Sequence, residues 1–222
     1  MKKYAVIVAA GAGTRMNSDV PKQFMLLKKK PVLFYCVDTF LKAYADVEII
    51  LVLPPENMAK GQEIIDDYFT STSRIRICEG GRSRFLSVKN GLVYVKPDSI
   101  VFVHDAVRCL LSEDLVQRCY RAAKEFGSAI PSVKVKESVR LMKEEDESEA
   151  LDRELVRVVQ TPQTFHSNIL LPAYNIDYKP IYTDEATVAE VYGLKVHLIE
   201  GEENNIKITT PADLAMAEVL MG

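Results

Sequence analysis

Short continuous apolar runs, each closed by a turn and followed by a helical pattern, constrain this chain more than any other feature. Residues 4–10 are almost unbroken in apolar character, which predicts a strand buried on both faces rather than one half in water. Residues 31–44 then set Leu33, Val37, Phe40, Leu41 and Tyr44 at helical spacing. Val47–Leu53 repeats the strand pattern and closes on Pro54-Pro55, and residues 56–69 read as a helix with Ile64, Ile65 and Tyr68 on its apolar side. Residues 74–78 predict a third strand, 84–94 a helix interrupted by Gly91, and 100–103 a fourth buried strand. Leu115, Cys119, Ala122 and Phe126 mark the next helix. Repeated strand–helix units of this kind predict an α/β fold: a mostly parallel sheet flanked by helices.

The pattern breaks near Ala129. Residues 138–142 and 155–159 are β-rich, and between them lies the charged run Lys143-Glu144-Glu145-Asp146-Glu147-Ser148-Glu149. This predicts a hairpin with a solvated tip, forming an arm over about residues 134–160. An arm with so few core contacts of its own is expected to pack on a second copy of the chain. Residues 195–199 return to the core. A last helix begins with Thr210 as N-cap, Pro211 at the first position and Asp213 closing a capping box. With 222 residues and no internal repeat or linker, the chain suits one domain over 1–222.

Charge narrows the partners. Lys and Arg number 28 against 31 Asp and Glu, a net of −3, so neither nucleic acid nor an anionic membrane surface is expected. No apolar run approaches the roughly 20 residues that cross a bilayer. The first run stops at Gly11 and is followed by Arg15, Asp19 and Lys22, which suits a core strand better than a signal peptide. Cys36, Cys78, Cys109 and Cys119 form no C-x-x-C pair. Free thiols in a reducing cytoplasm are expected, not a zinc site or disulfide framework.

Four groups of residues carry candidate chemistry. Ala9-Ala10-Gly11-Ala12-Gly13-Thr14-Arg15-Met16 follows the first strand, and its glycines let backbone N–H groups approach phosphate oxygens. The dinucleotide fingerprint fails at Met16, and the P-loop pattern fails for want of a Lys-Thr pair. Arg15 and Lys22 instead put a fork donor and a point charge beside this loop, which suits a triphosphate; an ordinary strand–helix turn is the alternative. Gly80-Gly81 and Ser87 lie where a strand gives way to a helix, on the same edge of the sheet. There N–H groups favour anions, and Ser87 is either a base or sugar contact or a solvated helix serine. Asp105, just past a buried strand, is placed to share Mg²⁺ with phosphates. Its alternative is a helix cap, a position Ser112 fills better, and His104 beside it reads as structural. Asp152-Arg153, Gln160 to Gln163, Thr183 to Glu185 and Asn204 to Lys207 are polar clusters that suit either site loops or turns.

In order, these segments resemble the 2-C-methyl-D-erythritol 4-phosphate cytidylyltransferase family, across residues 9–220. The matching residues are the G-x-G-x-R-M loop with Pro21-Lys22-Gln23, Gly80-Gly81 with Arg84, Ser87, Val88 and Asn90-Gly91-Leu92, and His104-Asp105-Ala106 with Arg108. Thr161-Pro162-Gln163, Thr183-Asp184-Glu185-Ala186 and Asn205 to Thr209 complete the set. The resemblance implies a Rossmann-like sheet with a protruding β-arm used in homodimerisation. It implies that Arg15, Lys22 and Lys207 neutralise the CTP phosphates and that Asp105 binds Mg²⁺. Ala10, Gly11, Ala12 and Gly13, with Gly81 and Ser87, would hold the nucleoside. Arg108, Ser138, Arg153, Thr161 and Thr183 would serve the acceptor, some from the partner subunit. The implied reaction is attack of the acceptor phosphate on the CTP α-phosphorus, releasing pyrophosphate. Three positions depart from the family pattern: Arg82 where an aspartate is common, Cys109 where proline is usual, and residues 136–140 in the arm. The rivals are a ribitol 5-phosphate cytidylyltransferase, a uridylyl- or guanylyltransferase for sugar phosphates, and a non-catalytic nucleotide-binding protein.

Overall fold

The first strand, β1 (Lys2–Val8), has its apolar residues buried between two neighbouring strands. The computed structural model describes residues 1–11, 16, 18, 20–70, 72–144 and 147–222. In chain order it continues through β2 (Leu26–Leu27), β3 (Lys30–Pro31), α1 (Val32–Ala43), β4 (Val47–Leu53) and α2 (Met58–Tyr68). Next come β5 (Ile75–Glu79), α3 (Arg84–Leu92), β6 (Ser99–Asp105), α4 (Glu113–Phe126) and β7 (Ser128–Lys134). Then follow β8 (Val139–Met142), β9 (Ser148–Leu151), β10 (Arg157–Val159), β11 (Gln163–His166), α5 (Ser167–Ala173), α6 (Glu185–Val191), β12 (Leu198–Glu200) and α7 (Pro211–Leu220).

Among the described residues the main sheet has eight strands, in the order β10-β7-β11-β6-β1-β4-β5 with β12 paired to β7. β1 runs parallel to β4 and β6, and β4 runs parallel to β5. The chain therefore winds outward from β1 to β5, then crosses back to β6 on the other side of β1. That reversal opens a crevice at the carboxyl ends of β1 and β6, where doubly wound sheets take their ligands. β11 is antiparallel to both β6 and β7, so the sheet is mixed at this side.

Alternate side chains of each central strand feed two cores. Ala5 and Ile7 pack with Val37, Phe40, Ile65 and Leu115 of α1, α2 and α4. Tyr4 and Val6 pack with Val88, Leu170 and Val188 of α3, α5 and α6. Both faces are covered, which is why these strands read as continuous apolar runs. Gly91 has a packing reason: a Cβ there would lie 2.7 Å from Val6 Cγ1 and 3.1 Å from Val52 Cγ2. Its absence lets α3 sit close on β1 and β4.

Helix ends follow their capping chemistry. Ser112 Oγ accepts from Leu115 N at 3.0 Å, and Gly127 at φ 84° ends α4. Thr210 and Asp213 form the expected capping box on α7. Leu115, Cys119, Ala122 and Phe126 all lie in α4 as expected, with Phe126 52% exposed at its end and stacked on His197 at a ring-centroid distance of 4.0 Å. One expectation needs correction. The arm hairpin returns through β9, so that Val139 pairs with Leu151 and Met142 with Ser148. Residues 157–159 instead pair with β7. Ser148 and Glu149 are thus strand residues, because the arm strands are mostly exposed and a charged side chain is not excluded from them. Glu145 and Asp146 lie outside the described residues.

Candidate active site

Three chain segments meet at the carboxyl edge of the parallel strands. After β1, Ala9 N donates to Val52 O at 2.8 Å, while Gln23 Nε2 donates to Ala9 O at 2.8 Å. After β5, Gly80 N donates to Leu53 O at 2.7 Å. A Cβ on Gly80 would fall 2.5 Å from Ala10 Cβ, and one on Gly81 would fall 2.4 Å from Leu86 Cβ. Both glycines are therefore required by close approach. The third segment is the end of β6, where Ala106 N donates to Val8 O at 3.0 Å, and Ile208 N donates to Val107 O at 3.0 Å. This last bond brings the loop before α7 to the same edge.

The segments enclose a cleft of about 330 Å³ lined by Ala10, Gly11, Lys22, Gly81, Ser87, Asp105 and Lys207 among others. Among the described lining residues, Lys22, Arg82, Arg84 and Lys207 are cationic and Asp105 is the one carboxylate. Such a wall suits a polyanion. Lys22 is nearly buried, and its Nζ donates to Ile208 O at 3.0 Å. Asp105 Oδ1 receives Arg84 Nε at 2.9 Å, and Oδ2 receives Lys207 Nζ at 2.7 Å. Burial alone would raise the Asp105 carboxyl, but Arg84, Lys207 and Arg108 outweigh it and hold it well below the usual carboxylate range. Asp105 is consequently ionised at any working pH.

Behind Asp105 runs a buried polar chain. Arg108 O can only accept, so His104 Nε2, 3.1 Å away, carries the hydrogen. His104 Nδ1 then accepts from the Thr161 hydroxyl at 3.0 Å, and Thr161 Oγ1 accepts from Asp105 N at 3.1 Å. Burial, the largest influence, pushes the His104 pKa down to about 4, so the ring is neutral and structural, as the sequence reading expects.

The structure brings Ala10, Gly11, Lys22, Gly81, Ser87, Asp105 and Lys207 into one cleft. Asp105 is the last residue of β6 rather than one beyond it. Ser87 lines the cleft, yet its hydroxyl accepts from Gly81 N at 3.0 Å and lies 2.9 Å from Ser83 O, so it shapes the loop. Thr161 is buried with its hydroxyl engaged behind Asp105. Arg108 donates from Nη1 to Asn205 O at 2.8 Å, and its buried Nε has no partner among the described residues. Thr183 is exposed beside the N-cap of α6. Ser138 and Arg153 are exposed on the arm, and neither lines the cleft of this single chain. Ala12, Gly13 and Arg15 lie outside the described residues.

Three participants carried no assigned role in the sequence reading. Gln23 anchors the first loop, Arg84 grips Asp105, and Glu185 holds Arg84 through two bonds of 2.6 and 3.0 Å. The available signal was a glutamate heading the uncharged stretch Ala186-Thr187-Val188-Ala189, where a carboxylate that becomes buried has to be paired.

Switch-point cleft, close-packed glycines and cationic wall together define an α/β protein suited to a polyanionic ligand at the carboxyl edge of its sheet. The model of the 2-C-methyl-D-erythritol 4-phosphate cytidylyltransferase family matches residues 4–222. The cytidylyltransferase of that name from Bacteroides thetaiotaomicron is 41% identical over 221 residues, covering 100% of both chains. Its counterpart from Porphyromonas gingivalis is 42% identical, over 99% of this chain and 98% of its own. The crystal structure of 4-diphosphocytidyl-2C-methyl-D-erythritol synthase from Anaerococcus prevotii superposes with a TM-score of 0.85 at 29% identity, covering 99% and 96% of the two chains. The chain belongs to the 2-C-methyl-D-erythritol 4-phosphate cytidylyltransferase family, and it is an enzyme of the nucleotidyltransferase class.

Proposed function

We propose that the cleft at the ends of β1, β5 and β6 binds CTP and carries the family's cytidylyl transfer. The reaction joins CTP and 2-C-methyl-D-erythritol 4-phosphate into 4-diphosphocytidyl-2-C-methyl-D-erythritol, with release of pyrophosphate, in the non-mevalonate route to isoprenoids. Full-length similarity to enzymes named for this acceptor favours it over ribitol phosphate and over a non-catalytic binding role. The observation that carries the site assignment is the meeting of Lys22, Lys207 and Asp105 in one cation-rich cleft.

Two polyanions have to approach each other, so neutralisation and alignment are the main tasks of the protein. Lys22 and Lys207 hold the triphosphate and oppose the charge growing at the α-phosphorus, with Arg15 assigned the same task from the family pattern. The acceptor phosphate is already ionised near neutral pH and needs no general base, and the buried neutral His104 supplies none. Gly81 lines the nucleotide side of the cleft with its own N–H held by Ser87 Oγ, and the Ala10–Gly13 loop is assigned the nucleotide from the family pattern. A divalent cation fits this donor set. Asp105 is ionised, and magnesium is commonly held by one or two carboxylates plus substrate phosphates. Bound there, Mg²⁺ would supply charge neutralisation at the phosphates.

The chain functions as one domain, 1–222, with its arm as a dimerisation element. Exposed Leu141, Met142, Leu151 and Leu155 give the arm and its base apolar surface for a second copy. Ser138 and Arg153 then serve the acceptor in the partner's cleft, alongside Arg108, Thr161 and Thr183. Four buried free thiols suit a cytoplasmic setting. Pyrophosphate release from CTP with Mg²⁺ tests the assignment. Lys22→Ala and Asp105→Asn are each expected to lower turnover about a hundredfold or more, and a near-normal rate removes that residue from the mechanism. Arg153→Ala is expected to raise KM for the acceptor more than for CTP; equal effects refute its role.

A further inference from the structure

We infer that Glu185, acting through Arg84, positions Asp105 so that one carboxylate oxygen stays fixed and the other stays exchangeable. This inference rests on the role assigned above to Asp105. Glu185 is fully buried at the first position of α6. Its carboxylate receives Arg84 Nη1 at 2.6 Å and Nη2 at 3.0 Å, and the Tyr174 hydroxyl donates to Oε1 at 3.0 Å. Tyr174 is itself fixed by stacking on Phe85, the neighbour of Arg84, with ring centroids 4.7 Å apart.

A guanidinium is planar, so two nitrogens bound to one carboxylate leave its plane little freedom. The third nitrogen, Nε, is then aimed at Asp105 Oδ1 at 2.9 Å. Glu185 occupies both Nη1 and Nη2 of Arg84, so this cation lines the cleft with its fork already bound to a carboxylate. Asp105 Oδ2 has a different kind of partner, Lys207, whose side chain is 39% exposed. Oδ1 is thus tied to a half-buried, doubly anchored arginine, whereas Oδ2 is held by a lysine on a flexible stem that, among the described residues, is anchored by no second carboxylate in the cleft. An arriving nucleotide and divalent cation can take Oδ2 while Lys207 turns to the phosphates, without disturbing Oδ1. Glu185 and Tyr174 are positioning residues: Glu185 touches Arg84, Tyr174 touches Glu185, and neither lines the cleft.

A buried ion pair can also be a mere strut between α3 and α6, and removing one partner would unfold either kind. The informative variant replaces Arg84 and the partners on its α6 side with apolar residues, Arg84→Met, Glu185→Leu and Tyr174→Phe together, leaving Asp105 to Lys207, because removing an ion pair with both its partners often preserves stability. Mn²⁺ binding to the enzyme–CTP complex, read by electron paramagnetic resonance without acceptor, is expected to weaken about tenfold in the folded triple variant. CTP affinity in EDTA is measured alongside, so that a change in nucleotide binding is separated from a change in metal binding. Unchanged Mn²⁺ affinity in that folded variant overturns the inference and leaves a strut. If the triple variant does not fold, Tyr174→Phe alone is read: a two- to fivefold loss, small on the usual scale of indirect contacts, supports the inference, and none overturns it. Asp105→Asn separates the two levels. If it too keeps full Mn²⁺ affinity, the role of Asp105 itself falls; if it loses affinity while the triple variant does not, only the positioning falls.

Discussion

Replacing Thr161 with valine removes one hydroxyl and almost no volume, so its cost is readable from hydrogen bonds. That hydroxyl donates to His104 Nδ1 at 3.0 Å and accepts from Asp105 N at 3.1 Å, in a residue only 4% exposed. Valine leaves both groups buried and without that partner. Each such orphan costs about 1–3 kcal/mol, which gives about 2–6 kcal/mol for the pair. In a domain of this size each kcal/mol moves the melting temperature by about 2–4 °C, so a fall of about 4–24 °C is expected. Scanning calorimetry measures it, with urea unfolding as a check on the free energy. Thr161→Ser, which keeps the hydroxyl, should recover most of the loss. Asp105 is still held by Arg84 and Lys207, so CTP affinity in the folded valine variant should change by less than about threefold. A melting temperature within about 1 °C of the parent would refute the assignment of these bonds as necessary.

Acid stability follows from His104. Its folded pKa, lowered by burial to about 4, lies below the value of about 6.5 in an unfolded chain, so the unfolded state binds the extra proton between them. Stability therefore falls as pH drops from about 6.5 toward 4, by up to about 3 kcal/mol. Asp105, whose carboxyl is depressed, adds its own loss at lower pH, below the ordinary carboxylate value. Urea unfolding at a series of pH values reads the slope, and His104→Gln should flatten it over that window; an unchanged slope contradicts the argument. Gly81→Ala places a Cβ 2.4 Å from Leu86 Cβ and 3.0 Å from Leu86 backbone carbon, so the loop has to shift. CTP binding by calorimetry should weaken about tenfold or more, and parental affinity would show that the loop position is not needed.

Much of the fold was legible because burial on both faces leaves a simple trace. The run from Tyr4 through Val8 and the run Val47–Leu53 read as strands since α1, α2 and α4 cover one side and α3, α5 and α6 the other. The glycines at 80 and 81 pointed to a loop at the carboxyl edge, and close approach to Ala10 and Leu86 explains them. The arm was harder. Its strands β8 and β9 are mostly exposed, so no apolar alternation fixed which residues return. Phe126 fitted the helical spacing of α4 but sits at its last turn, past the edge of the core. Most obscure was the link from Glu185 to Arg84, two residues 101 positions apart. Nothing local in the sequence can reveal such a pairing. The role of Ser87 was also hidden, because a hydroxyl facing a ligand and one bonded to its own loop have the same spacing.

The central claim is that CTP lies in the cleft with its phosphates on Lys22 and Lys207 and its divalent cation on Asp105. A crystal structure of the complex with CTP and Mn²⁺ in place of Mg²⁺, with the metal located by anomalous scattering, tests it most directly. The expected result is a metal in direct contact with Asp105 Oδ2, near the roughly 2.0–2.1 Å of a Mg²⁺–oxygen bond, with Lys207 moved from that oxygen to a phosphate. A triphosphate bound away from these three residues, or a metal without Asp105 among its ligands, would contradict the account.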